Sequence, residues 1–234
     1  NGQLQVLASG MLKALNPTMG KSAGANNHEL LIMSTNIGAK YATTLFLILA
    51  TPIFLEAPFF LKIWLGKTPE WVVVFLRFQL VKSFVEFQFL TVMGYLNVLG
   101  QIKKLNFWSI TFNILQLPCA YIVFQLDAPP YFIYIMTILF GNLLVYITAM
   151  RIAQKLYNFS VKDYIFQVTI PITYLIISVV TSHYLLEYMF PLVSPVNRTL
   201  FALLMMTIAI YMVILTSTEK SQMKVYLLNR IKSV

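Results

Sequence analysis

Residues 131–150 read YFIYIMTILFGNLLVYITAM, twenty consecutive residues without a charge. A helix rises 1.5 Å per residue, so twenty residues cover the roughly 30 Å hydrocarbon core of a bilayer. Five further apolar stretches repeat the theme at Tyr41–Ile63, Trp71–Val98, Leu105–Leu126, Ile165–Leu186 and Thr199–Ser217. They are continuously apolar rather than alternating. In lipid, where every backbone polar group must be satisfied internally, that pattern selects helices over a closed barrel. The sequence therefore predicts an all-α polytopic membrane protein with six full transmembrane helices.

Composition agrees. The chain is 59% hydrophobic and 11% charged, with a mean hydropathy of +0.75, whereas soluble domains carry about 25% charged residues. The net charge of +9 invites a nucleic-acid reading. Its distribution argues against that, since no basic patch interleaved with aromatics sits on a soluble module. Twelve of the 17 basic residues fall in alternate connections. These are Lys13, Lys21 and Lys40; Lys103 and Lys104; Arg151, Lys155 and Lys162; and Lys220, Lys224, Arg230 and Lys232. The opposite connections hold only Lys62, Lys67 and Arg198. This is the positive-inside pattern. It places the basic connections and the C-terminus in the cytoplasm, and Gly66–Glu70, Asp127–Pro130 and Glu187–Asn197 outside.

The organisation along the chain follows. Apolar residues at Leu4, Leu7, Met11, Leu12 and Leu15 have helical spacing up to Asn16-Pro17, so residues 1–17 read as the end of a transmembrane helix that begins upstream. The sequence is then expected to be the C-terminal part of a longer transporter. Residues 18–40, polar and small, read as a cytoplasmic loop with a short helix starting near Asn27. Residues 41–150 hold four spans, 151–164 a second cytoplasmic loop, 165–217 two additional spans, and 218–234 a basic tail. In that tail Val225, Leu227, Leu228 and Ile231 are compatible with an amphipathic surface helix or with a frayed solvated end. Trp64, Trp71, Tyr131 and Tyr184 lie near span boundaries as interfacial anchors. Cys119 is a lone mid-span thiol and supports neither a disulfide framework nor a metal cluster. His183 reads as an interfacial residue one turn from Glu187. Asn158-Phe159-Ser160 and Asn197-Arg198-Thr199 fit the glycosylation pattern, with the first on the cytoplasmic side.

Charge inside the spans is concentrated in Trp71–Val98, which carries Arg77, Lys82 and Glu86 together with Gln79, Gln88 and Asn97. Ionisable groups in a membrane are costly and face a bundle interior or a watery cavity. At about 100° per residue, Lys82 and Glu86 share a face with Gln79 and Asn97, and Arg77 points nearly opposite with Gln88 and Tyr95. No single lipid-facing orientation hides both sets, so this helix is expected to be embedded in protein. Arg77, about 9 Å from the outer end, is able to snorkel; Lys82, about 16 Å down, is not. The Lys82–Glu86 spacing of i,i+4 fits an internal ion pair. It fits equally a cationic lining for an anionic substrate group beside a titrating carboxylate. Glu56 sits between Pro52 and Pro58, which are expected to bend or break the first span. Such breaks occur at transporter binding sites, and also as plain kinks in which a carboxylate meets the interface or Lys62. Pro118 and Pro171 predict kinks. Asn106, Asn113 and Gln116 add uncharged polar groups; Asn113 and Gln116 share a helix face, as cavity lining or as interhelical hydrogen bonds.

Catalytic signatures are missing from the sequence: it contains no HExxH, GxSxG or P-loop. No enzyme, cofactor or metal is expected.

Several runs in order carry a family resemblance. They are Leu15-Asn16-Pro17 with Gly20-Lys21, Ile63-Trp64-Leu65-Gly66 with Pro69-Glu70, Phe75-Leu76-Arg77-Phe78, Gly100-Gln101-Ile102-Lys103-Lys104-Leu105-Asn106, and Leu117-Pro118 with Tyr121-Ile122. Their order and spacing resemble the C-terminal half of Wzx-type polysaccharide flippases, in the MATE-like superfamily of multidrug and oligosaccharidyl-lipid exporters. The resemblance implies a C-terminal transporter lobe in the bacterial cytoplasmic (inner) membrane. It implies movement of undecaprenyl-diphosphate-linked oligosaccharide repeat units to the periplasmic leaflet for O-antigen, capsule or exopolysaccharide. A polysaccharide polymerase and other assembly proteins are the implied partners, beside the bilayer and the lipid-linked sugar. Candidate diphosphate and sugar contacts are Arg77, which matches the family's basic residue after the Trp-Leu-Gly run, and Lys82, Gln79, Gln88, Asn113 and Gln116. Candidate coupling residues are Glu86 and Glu56. Competing readings are a drug/cation antiporter of the same fold, a membrane-embedded polysaccharide polymerase or ligase, and a structural subunit.

Overall fold

The computed structural model describes residues 2–67, 69–216 and 220–221; the basic tail otherwise lies outside the described residues. Those residues form helices and turns, with no strand among them. In chain order the helices are α1 (Gly2–Gly24), α2 (His28–Leu55), α3 (Ala57–Leu65), α4 (Val72–Val98) and α5 (Ile102–Gln125). Then follow α6 (Phe132–Tyr157), α7 (Val161–Met189) and α8 (Pro195–Ile214). Each of the last three contains a π-helical segment, at Thr137–Leu144, Ile165–Thr169 and Ile210–Ile214.

Five helices, α2, α5, α6, α7 and α8, are long and apolar enough to cross a membrane. The sixth expected span, α4, is long enough at 27 residues, but Arg77, Lys82, Glu86 and its amides make it too polar to qualify. The 18–40 region differs from its expected loop: apart from the turn Ala25–Asn27 it is helical. Helix α1 runs through Pro17 to Gly24 because the turns after the proline are anchored, with Met19 and Ser22 buried and Ser22 Oγ donating to the Thr18 carbonyl at 2.8 Å. Asn27 then caps α2, its side chain accepting from Leu30 N–H. Residues 151–164, expected as a loop, are mostly helical too; Asn158 in the left-handed conformation ends α6 and Ser160 caps α7.

The chain divides into two compact units, Asn1–Thr169 and Ile170–Val234. In the first, α2 is the central helix. Its buried positions Leu31, Thr35, Ala39, Ala42, Phe46 and Ala50 recur at helical spacing, and most are small, which lets neighbouring backbones approach closely. Helix α4 packs on α2, with Phe46 and Phe87 ring centroids 5.0 Å apart. As expected, α4 is embedded: of its 27 residues only Val81, Leu90, Asn97 and Val98 are exposed. Helix α5 is the opposite case. Only Leu105 and Ala120 are buried, and Phe107, Ile110, Ile114, Leu117 and Tyr121 stand exposed. An apolar face of that extent belongs against lipid or another apolar surface.

In the second unit, the Ile170–Met189 part of α7 packs against α8. The turn between them is fastened by Arg198, which pairs with Glu187 at 2.7 Å and donates to the Val193 and Pro191 carbonyls. Ser194 caps α8, with Pro195 in the first turn. His183, two turns from the end of α7, is buried against protein.

Candidate functional site

The two prolines break the first span at one residue. Pro52 is carried inside α2, and Pro58 sits in the first turn of α3, where a missing N–H costs nothing. Between them Glu56 leaves helical geometry (φ −100°, ψ 33°) and is only 8% exposed. The end of α2 is held from α4. Arg77 Nε donates to the Phe54 carbonyl at 3.2 Å and its Nη2 to the Leu55 carbonyl at 3.4 Å, with the guanidinium over the Phe54 ring at 5.6 Å. The last carbonyls of a helix lack intrahelical donors and carry partial negative charge. A planar cation with several donors fits that place well.

Ten residues into α4, Lys82 Nζ meets Glu86 Oε1 at 2.7 Å, the pair expected from the i,i+4 spacing. Neither side chain is fully covered, at 22% and 33% exposed. Helix α6 reads the same stretch from behind. Asn142 donates to the Lys82 carbonyl at 3.5 Å and the Tyr146 hydroxyl to the Glu86 carbonyl at 3.0 Å. The i,i+4 step 142/146 thus matches the step 82/86, which requires α4 and α6 to run parallel. Two residues on, Tyr164 of α7 donates to the Gln88 carbonyl, and Thr169 Oγ1 donates to Gln88 Oε1 at 3.4 Å. Gln88 is therefore a buried contact between helices. Gln79 lies half-buried on α4.

On α5, Gln116 Nε2 donates to Thr137 Oγ1 of α6 at 2.9 Å. Asn113 donates to the Ser109 carbonyl of its own helix, and its Oδ1 lies 3.4 Å from where a Cβ on Gly141 would stand. Seven of the eight expected site residues thus fall into three groups: Arg77 and Glu56 at the helix break, Lys82, Glu86 and Gln88 on the α4 ladder, and Asn113 and Gln116 between α5 and α6. Gln79 joins none of them.

Two cavities of about 380 Å³ each lie in the first unit, and neither is lined by any of the eight. One is mostly apolar, between α6 and the start of α7, with Phe89, Tyr146 and Tyr164 on its wall and Arg151 and Gln154 at one end. The other lies among α1, the end of α4 and the start of α5, and has Lys13, Asn16, Asn97 and Asn106 in its lining. Sequence reasoning noted Asn97 and Asn106 as polar groups but could not join them to α1, whose later turns it read as loop. Asn142 and Tyr146 were missed as well; their visible signal was two polar residues at i,i+4 in a span without charge. No known protein family, curated protein or solved structure matches the chain.

Proposed function

We propose that the chain is part of a membrane translocase that moves undecaprenyl-diphosphate-linked oligosaccharide repeat units from the cytoplasmic to the periplasmic leaflet of a bacterial cytoplasmic membrane. The observation that carries this reading is the Lys82–Glu86 pair near the middle of α4. A charged pair on an embedded helix is expensive to keep in apolar surroundings. Partial exposure there is the arrangement a water-filled path for an anionic head group needs. Lys82 supplies a cation and Glu86 holds it until a diphosphate competes, so the ammonium has an anionic partner before and after the head group arrives, and the released carboxylate turns to the water of the path. Arg77 serves differently: its donors hold the break between α2 and α3, keeping Glu56 beside a place where the helix can flex. The ordered runs that resemble Wzx-type flippases support the same reading.

The test is made in the host cell. Deleting the full-length gene should accumulate complete lipid-linked repeat units on the cytoplasmic side, measured by mass spectrometry and a membrane-impermeant probe, with loss of surface polymer. Lys82→Ala should cut export with normal protein in the membrane. Unchanged lipid-linked sugar with new drug sensitivity would discard this reading and put the antiporter in its place.

A further inference from the structure

The cavity among α1, α4 and α5 has the composition of a site for a phosphate carried on an apolar chain. Its rim holds one ammonium, Lys13, and three amides, Asn16, Asn97 and Asn106, all exposed. All four line the cavity while staying open to solvent. The rest of its lining is mostly apolar: Met19 and Leu105 are buried with the one polar residue Thr91, Leu15 and Met93 are half-buried, and Leu90 and Ile102 are exposed. Gly94 also lines the cavity, and a Cβ there would meet only the Met19 methyl at 3.7 Å; a larger side chain would enter the space. About 380 Å³ is within the range of ordinary small-molecule pockets, roughly 300–1,000 Å³. The setting adds positive potential, because Lys103 and Lys104 stand exposed in the first turn of α5. Basic pockets between membrane helices recognise anionic lipid head groups in this way.

We propose that this cavity binds the phosphate head of an anionic lipid, with Lys13 and the three amides on the phosphate oxygens and the first methylenes of the chain on the Met19, Leu90 and Leu105 floor. It is separate from the Lys82–Glu86 pair, and it stands or falls independently of the transport reading. Two sources share the chemistry, a bilayer phospholipid and a phosphorylated isoprenoid carrier.

The full chain, purified in a neutral detergent, would be titrated separately with phosphatidylglycerol, phosphatidylcholine, farnesyl diphosphate and inorganic phosphate. Bound molecules are counted by native mass spectrometry. Phosphatidylglycerol or farnesyl diphosphate should bind with one saturable site, and whichever binds identifies the source. Phosphatidylcholine, whose choline cancels the phosphate charge, should bind more weakly. The double variant Lys13→Gln, Asn16→Ala should lose about tenfold or more in affinity, the scale of a charge-assisted hydrogen bond, and Lys13→Arg should retain binding. Both positions are exposed, so folding is not at stake. Gly94→Leu should block the lipid by filling the floor. Equal binding of phosphatidylcholine, wild-type affinity in the double variant, saturation by inorganic phosphate alone, or binding of none of the four would overturn the proposal.

Discussion

Arg77 shows how one side chain serves a helix that is not its own. Its guanidinium takes the place of the two intrahelical donors that the break removes from Phe54 and Leu55. Arg77→Ala should lower the stability of the full chain by about 2 kcal/mol, the cost of charge-assisted hydrogen bonds lost from a half-buried place. Arg77→Lys should recover part of it, because an ammonium lacks the planar fork. Thermal unfolding in detergent measures both, and a wild-type midpoint for Arg77→Ala would show that the guanidinium does not cap α2. Tyr146→Phe removes only the donor to the Glu86 carbonyl and should cost about 0.6 kcal/mol, the average for such bonds between membrane helices. A loss of several kcal/mol there would mean that the hydroxyl does more than stitch α4 to α6. At this scale the sequence revealed the Lys82–Glu86 pair, because i,i+4 spacing on a helix is local geometry. It could not reveal Arg77 on the Phe54 carbonyl, 23 positions away, since that depends on how α4 lies against α2.

Elements were more legible than contacts. The apolar stretches located α5, α7 and α8 and the start of α6 within a few residues, since twenty residues without charge leave few alternatives in lipid. The Pro52–Pro58 pair foretold the break. The 18–40 region misled because Gly20, Gly24 and a run of polar side chains weaken local helix preference, and packing on α2 and α4 overrides that preference. In the same way, the basic run 151–164 hides the continuation of α6 behind an amphipathic surface. Helix α5 yields the sharpest element-scale prediction. Leu117 is 70% exposed in mid-helix. On a surface in water, Leu117→Lys would be nearly neutral; facing lipid, it should cost about 2.5–3.5 kcal/mol of insertion. A membrane-insertion assay comparing Leu117→Lys with Leu117→Ala distinguishes the two. Equal insertion of both would move this face out of the hydrocarbon.

For the molecule as a whole, the division of charge yields a prediction about which ends share a side. Turns at 25–27, 99–101 and 158–160 are flanked by Lys21, Lys103, Lys104, Arg151, Lys155 and Lys162, whereas those at 66–71 and 126–131 hold Glu70 and Asp127 with Lys67 as the one basic residue. With Cys119→Ser as the background, a single cysteine replacing Lys67 should react with an impermeant maleimide on intact cells. One replacing Lys155 should react only after the membrane is opened. Labelling of both from one side would overturn the positive-inside assignment. The π-helical segments in α6, α7 and α8 bear on the molecule in another way. Each wider turn holds a residue more than an α-turn does, as an inserted residue would produce. Every side chain beyond it is therefore rotated by about 100° from where uniform counting puts it. In α6 that offset falls just before Tyr146, so its reach to the Glu86 carbonyl depends on a surplus residue upstream. Removing one residue anywhere in 137–144 would keep the span apolar and long enough, yet swing the whole C-terminal half of the helix onto a different neighbour: an edit invisible to hydropathy and felt by every contact downstream.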